Sequence, residues 1–201
     1  MATAVDYRQD DRLIAVQTPL GQDAMVLLSF EGREELSRLF EYTLNMVPQT
    51  DEVDPKALVG KPISFSLRLH GGSQRSFHGY VRRLKRDAEA QAYTATVVPW
   101  LWFLTRTADC RIFQSKSVIE IIKQIFQDFG FHDYTIGDVR GEHPARTYCV
   151  QYRETAFDFI SRLMEEEGIF YYFRHEKNKH TLVLADQGNA YRDAEDRKSV
   201  V

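Results

Sequence analysis

The sequence predicts an α+β protein, with an antiparallel β-barrel over residues 1–110 followed by a mixed region over residues 111–201 that holds two helices and a β-hairpin. Three observations predict it. Short segments of the first half alternate apolar and polar side chains with period two, as half-buried strands do. Beyond Cys110 the apolar spacing changes to that of amphipathic helices. A last pair of apolar runs then flanks the polar stretch Glu176–Lys179, which reads as a hairpin turn.

In the first half, Phe40–Met46 alternates cleanly, and so does Phe65–His70. The second run meets Gly71-Gly72-Ser73, a cluster that supplies positive-φ positions without steric penalty, and Phe77–Val81 leads the chain back as the other arm of a hairpin. Tyr93–Pro99 is a further strand, which its proline ends or pushes to an edge. Many short strands with frequent turns point to an antiparallel barrel or sandwich.

The second half opens on Ser117-Val-Ile-Glu120, a capping box in which the serine hydroxyl and the glutamate carboxylate satisfy each other's backbone donors. Val118, Ile119, Ile122, Ile125, Phe126 and Phe129 then share one helical face, and Gly130 stops the helix. A second helix is expected from Thr155, with Asp158 in its first turn and Phe159, Ile160, Leu163 and Met164 facing inward, before Gly168 ends it. Glu165-Glu166-Glu167 sits in its last turn, where each acid opposes the helix dipole by about 0.3–1 kcal/mol. Glu167 projects from the apolar side and is expected to be half-buried, whereas Glu165 falls on the far side beside Arg162. An ionised Glu167 there needs a cation, and Arg153, Arg174, Arg106 and Arg111 are the candidates.

The 201 residues are 43% hydrophobic and 12% aromatic, enough for one large core or two small ones. A net charge of -3 excludes broad attraction to nucleic acid, and no apolar run approaches the roughly 18 residues of a membrane span. Met1–Asp11 contains no apolar segment fit for a signal peptide, so cytoplasmic synthesis is expected. Cys110 and Cys149 read as reduced, buried thiols. His175 and His180 flank the last turn as solvated histidines rather than metal ligands, and Val81–Arg86 reads as a solvated basic strand end. Metal, cofactor and nucleotide motifs are absent, and a glycosidase-like reading of the glutamates is the minor one because adjacent acids on one helical turn point apart. Trp100–Leu104 and Ile169–Phe173 are apolar on both faces, as strands covered on both sides are.

Phe30–Phe40 (FEGREELSRLF), Thr105–Gln114 with Ser117–Ile122, and Tyr148–Phe173 resemble the N-terminal region of the VgrG family. These are the valine-glycine-repeat spike proteins of type VI secretion systems, themselves similar to the hub of contractile phage tails. The resemblance spans about Leu13 to Asp186. It implies a phage-tail-hub-like fold and a homotrimer whose barrels form a pseudo-sixfold tube segment against the Hcp tube. It also implies assembly in the cytoplasm, then secretion by contraction together with spike-tip and effector proteins, which the family engages through C-terminal regions. The chain ending at Asp196–Val201 is accordingly expected to be a piece of the hub. Within this reading no enzymatic role, cofactor, nucleic acid or membrane span is expected. Glu166, Glu167, Phe170, Tyr172, Arg153 and Arg174 are the candidate subunit-interface residues. A hub of a prophage or phage-tail-like particle is the nearest alternative, and a cell-wall-acting enzyme a more distant one.

Overall fold

The computed structural model describes residues 8, 9, 12–49, 53–87 and 89–188. Met1–Tyr7 and Asp196–Val201, on which the leader and terminus expectations fall, lie outside them. The chain divides into two compact units, one running to Phe103 and including Phe173–Thr181, the other comprising Leu104–Tyr172 and the segment from Leu182 on.

In the first unit six strands form one antiparallel sheet: β1 (Ile14–Gln17), β2 (Met25–Arg33), β3 (Glu41–Pro48), β4 (Pro62–Arg68), β5 (Gln74–Asp87) and β6 (Ala92–Val98). Their spatial order is β1-β4-β5-β6-β3-β2. The expected hairpin is β4–β5, with Phe65 opposite Phe77 and Arg68 opposite Gln74 around Gly71 and Gly72, both at positive φ. The outermost strands, β1 and β2, are neighbours in sequence and lie beside each other, so the sheet curls into a nearly closed barrel.

Alternation fills the barrel with Leu27, Tyr42, Leu44, Met46, Ile63, Phe65, Phe77, Val81, Ala95 and Val97. Phe65 and Phe77 stack with ring centroids 4.9 Å apart, and Tyr42 meets Phe65 edge-on at 5.1 Å, geometries that add to the burial of their area. Bulges fall at Leu28, between the paired positions Leu27 and Ser29, and at Arg82, between Val81 and Arg83. Past Val81 the basic end of β5 lies mostly in solvent, with Arg82 paired to Glu41 at 3.0 Å. Trp100–Leu104 is not a strand. Pro99 ends β6, the Trp102 amide donates to the Pro99 carbonyl at 3.0 Å, and Trp100–Arg106 winds into a 3-10 helix that buries Trp100, Leu101 and Leu104.

In the second unit β7 (Ala108–Lys116) pairs antiparallel with β9 (Arg146–Thr155). The helices α1 (Val118–Asp128) and α2 (Ala156–Glu166) start where the caps predict: Ser117 and Glu120 close a reciprocal box, and the Thr155 hydroxyl accepts from the Asp158 amide at 3.0 Å. Phe113 stacks on Phe159 with centroids 5.6 Å apart, and Val118, Ile121, Ile122, Ile125 and Phe126 are buried. Ile121 joins this stripe where the sequence reading has Ile119, which is half-buried at its edge. Strand β8 (Tyr134–Asp138), not legible in the sequence, runs parallel to β11 (His180–Ala185), which pairs in turn with β10 (Phe170–His175). Every residue of β11 is buried, so β11, more than the aromatic β10, is the strand covered on both faces.

Cys149 is buried and Cys110 exposed, and both are free thiols. Cys110 departs from expectation because it occupies the outer face of β7, opposite Tyr152. On β9, Arg153 adopts φ 53 and is the extra residue between Tyr152, paired with Cys110, and Glu154, paired with Asp109. This is a β-bulge.

Gly79 lies in β5 where any side chain would collide: a Cβ there would stand 2.5 Å from Val97 Cγ1 and 2.9 Å from the Val98 carbonyl oxygen. Gly79→Ala should therefore lower the urea midpoint by the equivalent of about 1–3 kcal/mol with an unchanged m-value. Gly137→Ala, whose Cβ would meet its nearest atom at 3.6 Å, should leave the midpoint almost in place.

Candidate functional site

Two polar clusters stand out, one in each unit. The first answers how three acids can end α2. Arg146, at the start of β9, donates from Nη1 to Glu166 at 2.7 Å and from Nη2 to Glu167 at 2.6 Å. Arg162, four residues before Glu166, pairs with it at 3.0 Å and with Glu154 at 2.7 Å. His143 stands between two carboxylates, with Nδ1 2.9 Å from Glu167 and Nε2 3.3 Å from Asp186. The Asp186 carboxylate also accepts the backbone amides of Arg140 and Gly141, the latter at 2.6 Å. The Glu167 side chain is 17% exposed, half-buried as the sequence predicts.

The electrostatics follow from the pairing. Hydrogen bonds from Arg146 and then His143 hold Glu167 below the usual carboxylate range, and Arg146 does the same for Glu166 against the opposing effect of its burial. Burial pushes Asp186 up, but the Arg140 and Gly141 amides and His143 outweigh it and leave the group lowered. The bond to Glu167 raises His143 above its ordinary value. The site therefore keeps carboxylates ionised, the opposite of what a general acid needs. Among the described residues no group of three or more His, Cys, Asp or Glu side chains is arranged to hold a metal ion.

The structure brings Glu166 and Glu167 together through Arg146, a partner the sequence reading missed because twenty residues and a whole helix separate them. Arg111 pairs instead with Asp109 and Asp128, each at 2.9 Å, and Arg162 reaches Glu166 rather than Glu165. Arg153 is exposed at its bulge, its guanidinium 5.3 Å from the centre of the Tyr152 ring. Phe170 and Tyr172 are half-buried on β10, and Arg174, exposed, belongs to the first unit. Beside Arg153 the outer face of the β7–β9 ribbon presents Ile112 (61% exposed), Tyr148 (55%) and Tyr152 (66%) to solvent.

The second cluster overturns the reading of His175 and His180 as solvated. His180 is 1% exposed and the His175 side chain 7%. Both hairpin ends fold onto Phe40, whose ring centroid lies 4.9 Å from that of His175 and 5.3 Å from that of His180. A backbone N–H can only donate, so the pairings fix each tautomer. His180 Nε2 accepts from the Trp100 amide at 3.0 Å, which leaves the proton on Nδ1 to be given to His78 Nδ1 at 2.9 Å. His175 Nδ1 accepts from the His78 amide at 3.1 Å, and its Nε2–H faces the Tyr42 hydroxyl at 3.2 Å. The Tyr42 hydroxyl donates onward to Glu34. Burial holds the imidazoles neutral, pushing His175 down to about 4 and His180 to about 2, and burial together with Glu34 keeps Tyr42 protonated. No sequence motif marks this cluster.

Comparisons with known proteins place these features in a family. Residues 33–201 match the phage tail baseplate hub (GPD) family. The Pseudomonas aeruginosa type VI secretion system spike proteins VgrG1a and VgrG1c are 54% and 51% identical, over 90% and 92% of this chain. The chain spans 28% and 26% of their lengths. Among solved structures, the E. coli c3393 protein, a component of the type VI secretion system similar to T4 bacteriophage tail proteins gp27 and gp5, superposes with a TM-score of 0.79 at 25% identity. That match covers 89% of this chain and 50% of the other.

Two histidines, one from each cluster, predict opposite responses to mild acid. His175 falls from 6.5 to about 4, so the unfolded chain takes up its proton first, and the stability present above pH 6.5 drains away as pH falls toward 4. At 1.36 kcal/mol per unit this is about 3 kcal/mol. His175→Gln should flatten that part of a urea-midpoint profile measured from pH 7 to pH 4. His143, raised, contributes in the other sense: its stabilisation is present below 6.5 and is lost as pH rises through its folded value. His143→Gln should therefore lower the midpoint at pH 6 more than at pH 9.

Proposed function

The chain belongs to the phage tail baseplate hub (GPD) family, and from that membership we propose that it forms the N-terminal part of a type VI secretion spike. In this reading it is a structural component rather than an enzyme. Three copies build a hub that joins the Hcp tube to the puncturing tip, assembles in the cytoplasm and is expelled by contraction, carrying spike-tip and effector proteins through regions beyond this chain. The observation that carries the reading is the similarity to spike proteins along nine-tenths of the chain. The barrel supports it physically: a sheet curled on itself resists deformation without any reactive group. The barrel portion 1–110 would form the segment that meets the tube.

The copy-to-copy contact is proposed at Phe170, Tyr172, Arg153 and Arg174, with Glu166 and Glu167 at its rim because both already have cation partners within the chain. The exposed apolar face beside Arg153 supports a contact there, since tyrosine and arginine are the residues that carry interface energy. A hub of a prophage or phage-tail-like particle is the second reading, favoured by the family's own description, and neighbouring genes for sheath and membrane complex rather than capsid would decide between them.

Light scattering on the polypeptide extended to the length of its relatives should give the mass of a trimer, and a monomer would reject the hub reading. Tyr172→Ala combined with Arg174→Glu should raise the trimer's dissociation constant at least about tenfold, the equivalent of about 1.4 kcal/mol, while circular dichroism stays unchanged. A trimer as tight as the parent would reject that placement of the contact and leave the hub reading standing.

A further inference from the structure

The barrel is closed by a side chain. Five successive antiparallel pairings lead from β1 through β4, β5, β6 and β3 to β2, so β1 and β2 run in opposite directions on either side of the seam. Four of the backbone groups along this seam are taken by Gln9, which is 6% exposed. Its Nε2 donates to the Val16 carbonyl at 3.1 Å, the Met25 carbonyl at 3.0 Å and Asp23 Oδ1 at 3.2 Å. Its Oε1 accepts from the Val16 amide at 2.9 Å and the Leu27 amide at 3.4 Å. Val16 thus spends both backbone groups on this one side chain, and Met25 and Leu27 are alternate residues whose groups point to the same side of β2. A primary amide offers the donors and acceptor of a peptide group, so Gln9 fills the place that a residue of an adjoining strand would take. The side chain is itself anchored. The Gln9 amide donates to Asp23 Oδ1 at 3.3 Å, Asp23 sits at φ 54 in the turn between the two strands, and Arg12 Nη2 donates to the Leu27 carbonyl at 3.2 Å.

We propose that Gln9 and its anchors are a strap that locks the seam between β1 and β2, standing in for strand pairing and denying both edges to any other chain. The chemistry demands glutamine. A glutamate of the same length would offer oxygen lone pairs, and no donor, to the Val16 and Met25 carbonyls and to Asp23.

Amide hydrogen exchange on the whole chain tests the strap. In Gln9→Ala and in Gln9→Glu the Val16 and Leu27 amides should exchange at least about tenfold faster, while those of Leu44 and Ala95, on β3 and β6, keep their parent rates. Unchanged protection at Val16 and Leu27 in both variants would overturn the proposal, because the seam would then hold without the amide. An equal acceleration at all four amides would overturn it as well, since Gln9 would then support the whole core rather than the seam. Failure of both variants to fold counts the same way.

Discussion

A sheet of six strands ends in two rows of unpaired N–H and C=O groups, and the first unit is organised around disposing of them. Curling the sheet brings the rows face to face, and curling needs bulges and close approaches. The bulges at Leu28 and Arg82 supply local twist, and Gly79 lets β5 come within van der Waals reach of Val97 and the Val98 backbone. The aromatic interior depends on this closure, because Tyr42 on β3, two strands from β5 and three from β4, can reach the paired Phe77 and Phe65 across the lumen when the sheet is rolled, not when it is flat. Closure is thus prior to packing here.

The same need to satisfy polar groups out of water takes two chemical forms. In the barrel unit the imidazoles are buried deeply enough that charge is the costly state, so they remain neutral and pass hydrogen bonds in a directed chain from backbone to Glu34. In the second unit Arg146, Glu166 and Glu167 keep partial access to solvent, and there full charges pair. Arg146 is the centre of that arrangement because its planar fork serves two carboxylates at once. A lysine would offer a point charge to one of them.

What the sequence made legible is what local rules govern. Ser117 and Thr155 announced their helices, Gly71-Gly72 its hairpin, and the alternation in Phe40–Met46 its strand. What escaped needed the third dimension. Trp100–Leu104 looked like a doubly covered strand because a buried 3-10 helix and a buried strand share the same apolar content over so short a run. His175 and His180 looked solvated because a hairpin turn usually is, and here its two ends return onto Phe40. The acids of α2 signal a need for a cation, but nothing local points to Arg146, which antiparallel pairing of β9 with β7 delivers. Gln9 carries no signal at all, since one glutamine among polar residues is indistinguishable from a solvated one.

The left-handed residue Arg153 sets a matter of counting. Before it, Cys149 and Gln151 are the buried residues; after it, Glu154 faces Asp109 and Thr155 faces Ala108. That single extra residue resets odd and even along β9, so the strand arrives at α2 with the Thr155 hydroxyl turned to receive the Asp158 amide. A chain one residue shorter at this point would keep every amino acid type the second helix uses and still present its first turn back to front.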